Sequence, residues 1–286
     1  MHRHLAVLGS PIAHSRSPFI HRAAYSMLGL PWEYQAVDVT EERLAAFLNT
    51  RDDTWLGFSV TMPLKGEARR LSAVLDPVAT ESAVVNTLLR LIDHDGQPSW
   101  AGFNTDVAGL AAALEERAFD LSHTLVFGSG ATAMSAVMAA RMLGASRVSV
   151  LARRPEAAAA LAEQFSDASH GFACDASSIV DGISQMSDSA TSVISTIPGD
   201  VQTTMSFEVL PTHVPLFDVA YDPWPSPFAA HWRAGGGVVE PGISMLVHQA
   251  LLQVRIFVNG DPGMPVHDEG RVLHAMRDAA GVTDLA

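Results

Sequence analysis

Lysine occurs once in this chain, against 17 arginines, and that single residue, Lys65, closes the apolar stretch GFSVTMPLK (57–65). Arginine stays protonated under ordinary conditions, whereas an ammonium is compact and its proton affinity moves readily when water is removed. A site that must give or take a proton cannot use arginine instead. A bias against lysine across the whole chain would also leave an accidental survivor, so the count alone decides nothing.

A second group of residues has phosphate chemistry. VFGSGATA (126–133) carries Gly128, Gly130 and Ala133 in G-x-G-x-x-A spacing, after one strand-like segment and before a helix-like one. The first glycine permits a tight turn, the second lets backbone approach a pyrophosphate, and the small third residue allows close helix–strand packing. Free N–H groups at the helix start then hold phosphate oxygens. The next strand-like segment, RVSVLA (147–152), ends at Arg153 and Arg154, and no acid precedes Glu156. An acidic residue there would bind the ribose hydroxyls of NAD, whereas arginine accommodates the 2′-phosphate of NADP. Positive charge is also unfavourable at a helix start, which a phosphate partner explains. NADP is the expected cofactor.

Further polar residues are less telling one by one. Ser15 and Ser17 in HSRSPFIH (14–21) precede Pro18. Ser17 reads as an N-cap with Pro18 at the first helical position. Two hydroxyls at a helix start also make an anion site suited to a carboxylate. Asp106 in GFNTDVAG (102–109) reads as a first-turn acid, Asn86 in VVNT as a turn residue, and Gln249 in SMLVHQA as a polar face residue.

The elements that must position these residues alternate along the chain. LAVLG (5–9), WEYQAVDV (32–39) and WLGFSVTMP (55–63) read as strands, and 17–30 and 40–50 as helices. This is the pattern of βα units around a mostly parallel sheet. Residues 83–104 read as two strands joined by the polar turn DHDGQPS. An amphipathic helix follows at 105–119, then strand, glycine turn, helix and strand over 123–154. PEAAAALAEQF (155–165) reads as a helix, ATSVISTIP (190–198) and VPLFDVAY (214–221) as strands, and 244–260 and 267–281 as helices. PWPSPF and AGGGV, near 223–238, suit a hinge or crossing between domains.

At 286 residues, 48 % of them apolar, two domains are expected. A net charge of −13 argues against nucleic-acid and anionic-membrane partners. One cysteine, Cys174, excludes an internal disulfide, and neither cysteines nor histidines offer metal-ligand spacing. No signal peptide or membrane-length run is read, so a cytoplasmic protein is expected. The sequence allows a homodimer without requiring one.

Taken together and in order, GSPIAHSRSP, GFSVTMPLK, DPVATESAVVNT, GFNTDVAG, FGSGATA, DVAYDPWPSPF and GISMLVHQA resemble the shikimate dehydrogenase family over nearly the whole chain. The resemblance implies an α/β fold with an N-terminal, mostly parallel substrate-binding domain (1–106, completed by C-terminal helices within 240–286). It also implies a Rossmann-type NADP-binding domain (107–239), with the active site in a cleft between the two. The implied reaction is NADPH-dependent reduction of 3-dehydroshikimate to shikimate, a step of aromatic amino-acid biosynthesis. Lys65 and Asp106 match the catalytic pair. Ser15 and Ser17, with Tyr221, match positions that bind the substrate carboxylate, and Thr61, Asn86 and Gln249 those that hold the ring hydroxyls. Gly128, Ser129, Gly130, Ala131 and Thr132 would hold the pyrophosphate, with Arg153 and Arg154 at the 2′-phosphate. Val219, Gly242 and Met245 would line the nicotinamide side.

The chain departs from the family pattern at Ser59, where asparagine is usual, so one substrate contact is expected to shorten or pass through water. Arg22, Ala131, Ala152, Arg154 and the STIPGD loop (195–200) also differ. Two rival readings are a quinate/shikimate dehydrogenase using NAD, which Ser17 and Arg153 argue against, and a non-catalytic NADP-binding sensor, which would have no use for Lys65 and Asp106.

Overall fold

The computed structural model describes residues 2–92, 95–165, 171–205 and 210–282. They fall into two compact units, Met1–Gly109 with Leu246–Ala286, and Leu110–Met245. Each unit is built on its own six-stranded sheet.

The first unit runs β1 (Arg3–Gly9), α1 (Ser17–Met27), β2 (Trp32–Asp38), α2 (Glu41–Asn49), β3 (Trp55–Val60), α3 (Lys65–Leu71), β4 (Val74–Leu75), α4 (Pro77–Ser82), β5 (Thr87–Ile92) and β6 (Pro98–Phe103). Its sheet order is β2-β1-β3-β5-β6-β4. β1 is parallel to β2 and β3, and β4 is parallel to β6, while β5 is antiparallel to both neighbours. The sheet is therefore parallel-rich, with one reversed strand supplied by the β5–β6 hairpin. Asp93 and His94 of the expected turn lie outside the described residues. Phe58, fully buried, stacks on Trp55 and leans on Trp100, each with ring centroids 5.3 Å away. Burying aromatic area of this kind contributes about 1.5–3 kcal/mol per ring and fixes the height of β3 in the sheet.

The registers decide where the functional residues stand. Ser59 pairs with Thr87, and Thr87 with Phe103. The carboxyl ends of β1, β3 and β6 and the amino end of β5 consequently share one edge of the sheet. Ser10–Ser17, Thr61–Lys65, Asn86 and Asn104–Asp106 all leave from that edge.

α5 (Asp106–Glu116) leads into the second unit. There follow β7 (His123–Phe127), α6 (Ala131–Met142), β8 (Arg147–Ala152), α7 (Pro155–Glu163), β9 (Ala173–Ser178), α8 (Ile179–Met186), β10 (Ser192–Ser195), α9 (Gly199–Gln202), β11 (Leu216–Asp218), α10 (Pro227–Ala234) and β12 (Val239–Pro241). The sheet, β12-β11-β10-β7-β8-β9, is parallel throughout. All five residues of β7 are buried, as expected for a central strand covered on both faces. Strand order reverses beside β7, and such a switch point opens a crevice at the carboxyl ends of the strands. α11 (Ile243–Asn259) then returns the chain to the first unit, where α12 (Glu269–Ala280) packs on α1. No described helix is long and apolar enough to cross a membrane.

Two local expectations are corrected. The proline- and glycine-rich stretch near 223–238 is not a domain crossing. It lies inside the second unit, holding α10 between β11 and β12. Ser17 is not the N-cap of α1. Arg16 already has helical backbone angles and occupies that position, because its carbonyl accepts from the N–H groups of Phe19 and Ile20.

Candidate active site

Lys65 opens α3, and its backbone is pinned on both sides. The Thr61 N–H donates to Leu8 O, the Leu64 N–H to Thr61 O, and the Val85 N–H to Lys65 O. Leu64 and Ala68, both fully buried, seat the short helix in the core. Asp106 opens α5, and its N–H is capped by Asn104 Oδ1 at 3.0 Å, while Asn104 Nδ2 donates to Ser82 Oγ at 2.9 Å. A carboxylate in the first turn is also favoured by the helix dipole.

The two ends meet. Lys65 Nζ donates to Asp106 Oδ2 at 2.5 Å, with side chains only 15 % and 7 % exposed. Asn86 Nδ2 donates to the other oxygen, Oδ1, at 2.8 Å. The amide of Asn86 is itself oriented, since its Oδ1 accepts from the Thr105 N–H at 2.9 Å and from Thr87 Oγ1 at 2.8 Å. Gln249, buried on α11, donates from Nε2 to Leu246 O at 2.8 Å and brings Oε1 to 3.5 Å from Asn86 Nδ2. An ion pair this far from water needs such geometry and extra hydrogen bonds to offset desolvation. What results is an ammonium held at a fixed point, able to face developing negative charge and to pass on a proton.

Beneath this cluster, on α1, His21 is fully buried, stacked on Tyr34 with centroids 4.0 Å apart, and placed between Tyr25 OH and Gln253 Oε1. Burial pushes its pKa from the ordinary 6.5 down to about 3, against a smaller opposing effect of the Gln253 bond. His21 is thus neutral when folded and takes up a proton near pH 6.5 once unfolded. The stability this confers is complete above that pH and shrinks as pH falls toward 3, by up to about 1.4 kcal/mol per unit. Urea unfolding at pH 7 and pH 5 is expected to show about 2 kcal/mol more loss in the unaltered chain than in His21→Gln. Equal losses in both would remove His21 from the account.

In the second unit, Gly128 follows β7 with φ +119°, and a Cβ there would lie 2.3 Å from Thr196 Oγ1. The turn Gly128–Ser129–Gly130 therefore needs glycine where β7 and β10 part. Gly130 is the N-cap of α6 and offers no side chain to it, so the N–H groups at its start, Ala131 and Thr132 among them, are left for a ligand. Ala133, fully buried, is the small residue that lets α6 sit close. Arg153 and Arg154, exposed at the end of β8, have no side-chain partner among the described residues, and Arg154 is the N-cap of α7. Uncapped N–H groups beside two available guanidiniums fit a pyrophosphate with a further phosphomonoester.

At the next strand ends, Val219 and Gly242 are in direct backbone contact, and Met245 is buried at the start of α11. The loop bearing Val219 and Tyr221 is anchored by Asp218. This buried carboxylate accepts from Ser226 Oγ at 2.5 Å, Gln202 Nε2 at 3.1 Å and the Ala220 N–H at 3.2 Å, and burial raises its pKa.

Of the residues singled out in the sequence, Lys65, Asn86, Asp106 and Gln249 converge. Thr61 stands at the same edge, half-buried. Ser15 and Ser17 leave that edge as a pair, the Ser17 N–H reaching Ser15 Oγ at 3.4 Å, and neither bonds to the Lys65 cluster. Ser59 corrects an expectation, because it does not reach outward. It is buried, accepts from Tyr34 OH at 2.6 Å and donates to Gln253 Oε1 at 2.7 Å. Arg22 turns to the backbone of Tyr34. Sequence reasoning missed Asn104, Thr105 and Gln253. The last carried one signal, a second glutamine four places past Gln249 in an apolar helix. Among the described residues no group of three or more His, Cys, Asp or Glu could hold a metal ion.

Comparison with known proteins places this arrangement. A family model described as the shikimate dehydrogenase substrate binding domain matches residues 7–88. A shikimate dehydrogenase (NADP(+)) of Anaeromyxobacter dehalogenans is 34 % identical over 278 residues, covering 96 % of each chain. The crystal structure of Mycobacterium tuberculosis shikimate dehydrogenase superposes with a TM-score of 0.84 at 35 % identity, over 98 % of this chain and all of the other. A Thermus thermophilus shikimate 5-dehydrogenase, solved in complex with NADP(H) and shikimate, gives 0.79 at 29 % identity, over 97 % of this chain and 99 % of the other. The chain belongs to the shikimate dehydrogenase family.

Proposed function

We propose that the protein catalyses the reversible NADPH-dependent reduction of 3-dehydroshikimate to shikimate, with Lys65 and Asp106 as its catalytic pair. The observation that carries this reading is the largely buried Lys65–Asp106 pair with Asn86 on its second oxygen. A protein that only sensed nicotinamide would gain nothing from holding an ammonium there. A relative and two solved structures named for this activity, all three over nearly the full chain, support the same reading.

In this reading the first unit takes the substrate and the second takes NADP. Ser15 and Ser17 offer hydroxyl groups to the substrate carboxylate. Thr61, Asn86 and Gln249 hold the ring hydroxyls. The turn Gly128–Thr132 holds the pyrophosphate, Arg153 and Arg154 the 2′-phosphate, and Val219, Gly242 and Met245 border the nicotinamide. When bound, NADPH supplies the hydride. Lys65 faces the carbonyl oxygen that becomes negative on reduction, stabilises it and gives it a proton. Asp106 keeps the ammonium on station and accepts from the substrate hydroxyl being formed or consumed.

The test is turnover of shikimate and of quinate, each with NADP and with NAD, followed at the reduced-nicotinamide absorbance. Shikimate with NADP is expected to lead every other combination by about tenfold or more. Removing a charge-assisted phosphate contact costs about 1.5–3 kcal/mol, so Arg153→Ala or Arg154→Ala should raise the KM for NADP roughly 10- to 100-fold and leave NAD turnover nearly unchanged. Preference for quinate with NAD would overturn the reading.

A further inference from the structure

Gln253 is almost wholly buried, and all four hydrogen-bonding positions of its amide are used. Nε2 donates to Asn86 O at 3.3 Å and to Thr87 Oγ1 at 3.0 Å, while Oε1 accepts from Ser59 Oγ at 2.7 Å and from His21 Nε2 at 3.2 Å. A backbone carbonyl can only accept, so Asn86 O fixes which end of the amide is nitrogen. The directions of the hydroxyls around it then follow. Ser59 must give its proton to Gln253 and accept from Tyr34 OH. Thr87 accepts from Gln253 and must give its own proton to Asn86 Oδ1, 2.8 Å away. Together with the Thr105 N–H, which donates to the same oxygen at 2.9 Å, this holds the Asn86 amide with Nδ2 toward Asp106 Oδ1 and leaves Oδ2 for Lys65.

We infer that Gln253 is a positioning residue for the Lys65–Asp106 pair, acting through the carbonyl of Asn86 and the hydroxyl of Thr87. It ties α11 to the ends of β3 and β5 directly beneath the site. The donor chain that it starts ends on the carboxylate that holds the ammonium. Neither Gln253 nor Thr87 reaches the pair itself. The inference rests on the reading of Lys65 and Asp106 as catalytic for its consequence in turnover, but the coupling it describes is testable without substrate.

The chain's single lysine makes that test direct, since isotope-labelled lysine gives one side-chain NMR signal with no assignment needed. The exchange of its ammonium protons with water would be followed at one fixed pH in the unaltered protein and in Gln253→Leu, Thr87→Val and Thr87→Ser. Thr87→Val keeps the side-chain shape and leaves the Gln253 bond to Asn86 O in place, so it serves where Gln253→Leu fails to fold. An ammonium held less firmly in its hydrogen bond to a carboxylate exchanges its protons with water more readily. Exchange is therefore expected to quicken by about threefold or more in Thr87→Val and Gln253→Leu, and to return in Thr87→Ser, which keeps the hydroxyl. In the reduction direction kcat should fall about tenfold in the first two, with the KM for 3-dehydroshikimate changed far less. A folded Thr87→Val whose lysine exchanges as in the unaltered chain overturns the inference. Failure of the unaltered protein to turn over shikimate with NADP would instead count against the proposed function and leave the lysine exchange to decide this point alone.

Discussion

Replacing Lys65 with alanine is expected to lower kcat for shikimate oxidation by about 10³-fold or more, with the KM for shikimate changed far less. The ammonium is, among the described residues, the one cation bonded to Asp106, and its contribution grows as charge develops on the reacting oxygen, so its loss falls on the transition state. NADP binding, measured by calorimetry, should be unchanged, because the residues assigned to the cofactor belong to the other unit. The substitution also leaves a buried carboxylate with Asn86 as its side-chain donor, which costs stability of order 1–3 kcal/mol. The double substitution Lys65→Met with Asp106→Asn removes that cost and should regain stability without regaining activity. Lys65→Arg separates the two parts of the lysine's role. It keeps a positive charge and gives up a titratable proton, so near-full activity would end the proton-transfer account and leave electrostatic stabilisation alone. Full activity in Lys65→Ala would dismiss the pair altogether.

What the sequence made legible was set by length and by chemical rarity. α11 and α12 show two or more turns of apolar period, and β7 carries the apolar run Leu125–Phe127 directly before a glycine turn, so each is readable in isolation. α3, α4 and α9 span fewer than two turns or barely reach them, too short to display a period. β9, ACDASS, looks like loop and becomes strand only through its pairing with β8, helped by Arg147 on Asp175 at 2.8 Å. The site divides in the same way. Lys65 stood out because no other lysine exists, and Gly128 and Gly130 because glycine spacing has a backbone meaning. The amide orientation that locks the pair was not readable, since Gln253 and Asn86 meet across 167 positions. Ser59 shows the same limit from the other side. Its place in the motif pointed to substrate, and only the folded chain shows its hydroxyl already spent on Tyr34 and Gln253.

Gly242→Ala is expected to do to the second unit what loss of Lys65 does to the first. A Cβ at Gly242 would lie 2.1 Å from the carbonyl oxygen of Val219 and 2.4 Å from its carbonyl carbon. Both are backbone atoms, with no rotamer that clears the space. The two strand-end loops must therefore separate by more than 1 Å, estimated from ordinary contact distances near 3.5 Å. That movement strains the Gly242 N–H to Ala220 O bond, already 3.4 Å long, and works against the anchor that Asp218 makes with Ser226 and the Ala220 N–H. Overpacking of this kind costs about 1–3 kcal/mol, and more where backbone cannot yield. Urea unfolding should show a loss of about 3 kcal/mol, and calorimetry a fall in NADP affinity of about tenfold, since the displaced loop carries Val219. Gly270→Ala is the control. Nothing lies within 4 Å of its Cβ position, and it stands in the first turn of α12, so alanine there should cost nothing and stabilise by at most about 0.5–1 kcal/mol. If Gly242→Ala proved as harmless as the control, the strand-end loops would be free to separate, and the assignment of Val219 and Gly242 to the nicotinamide border would lose its structural basis.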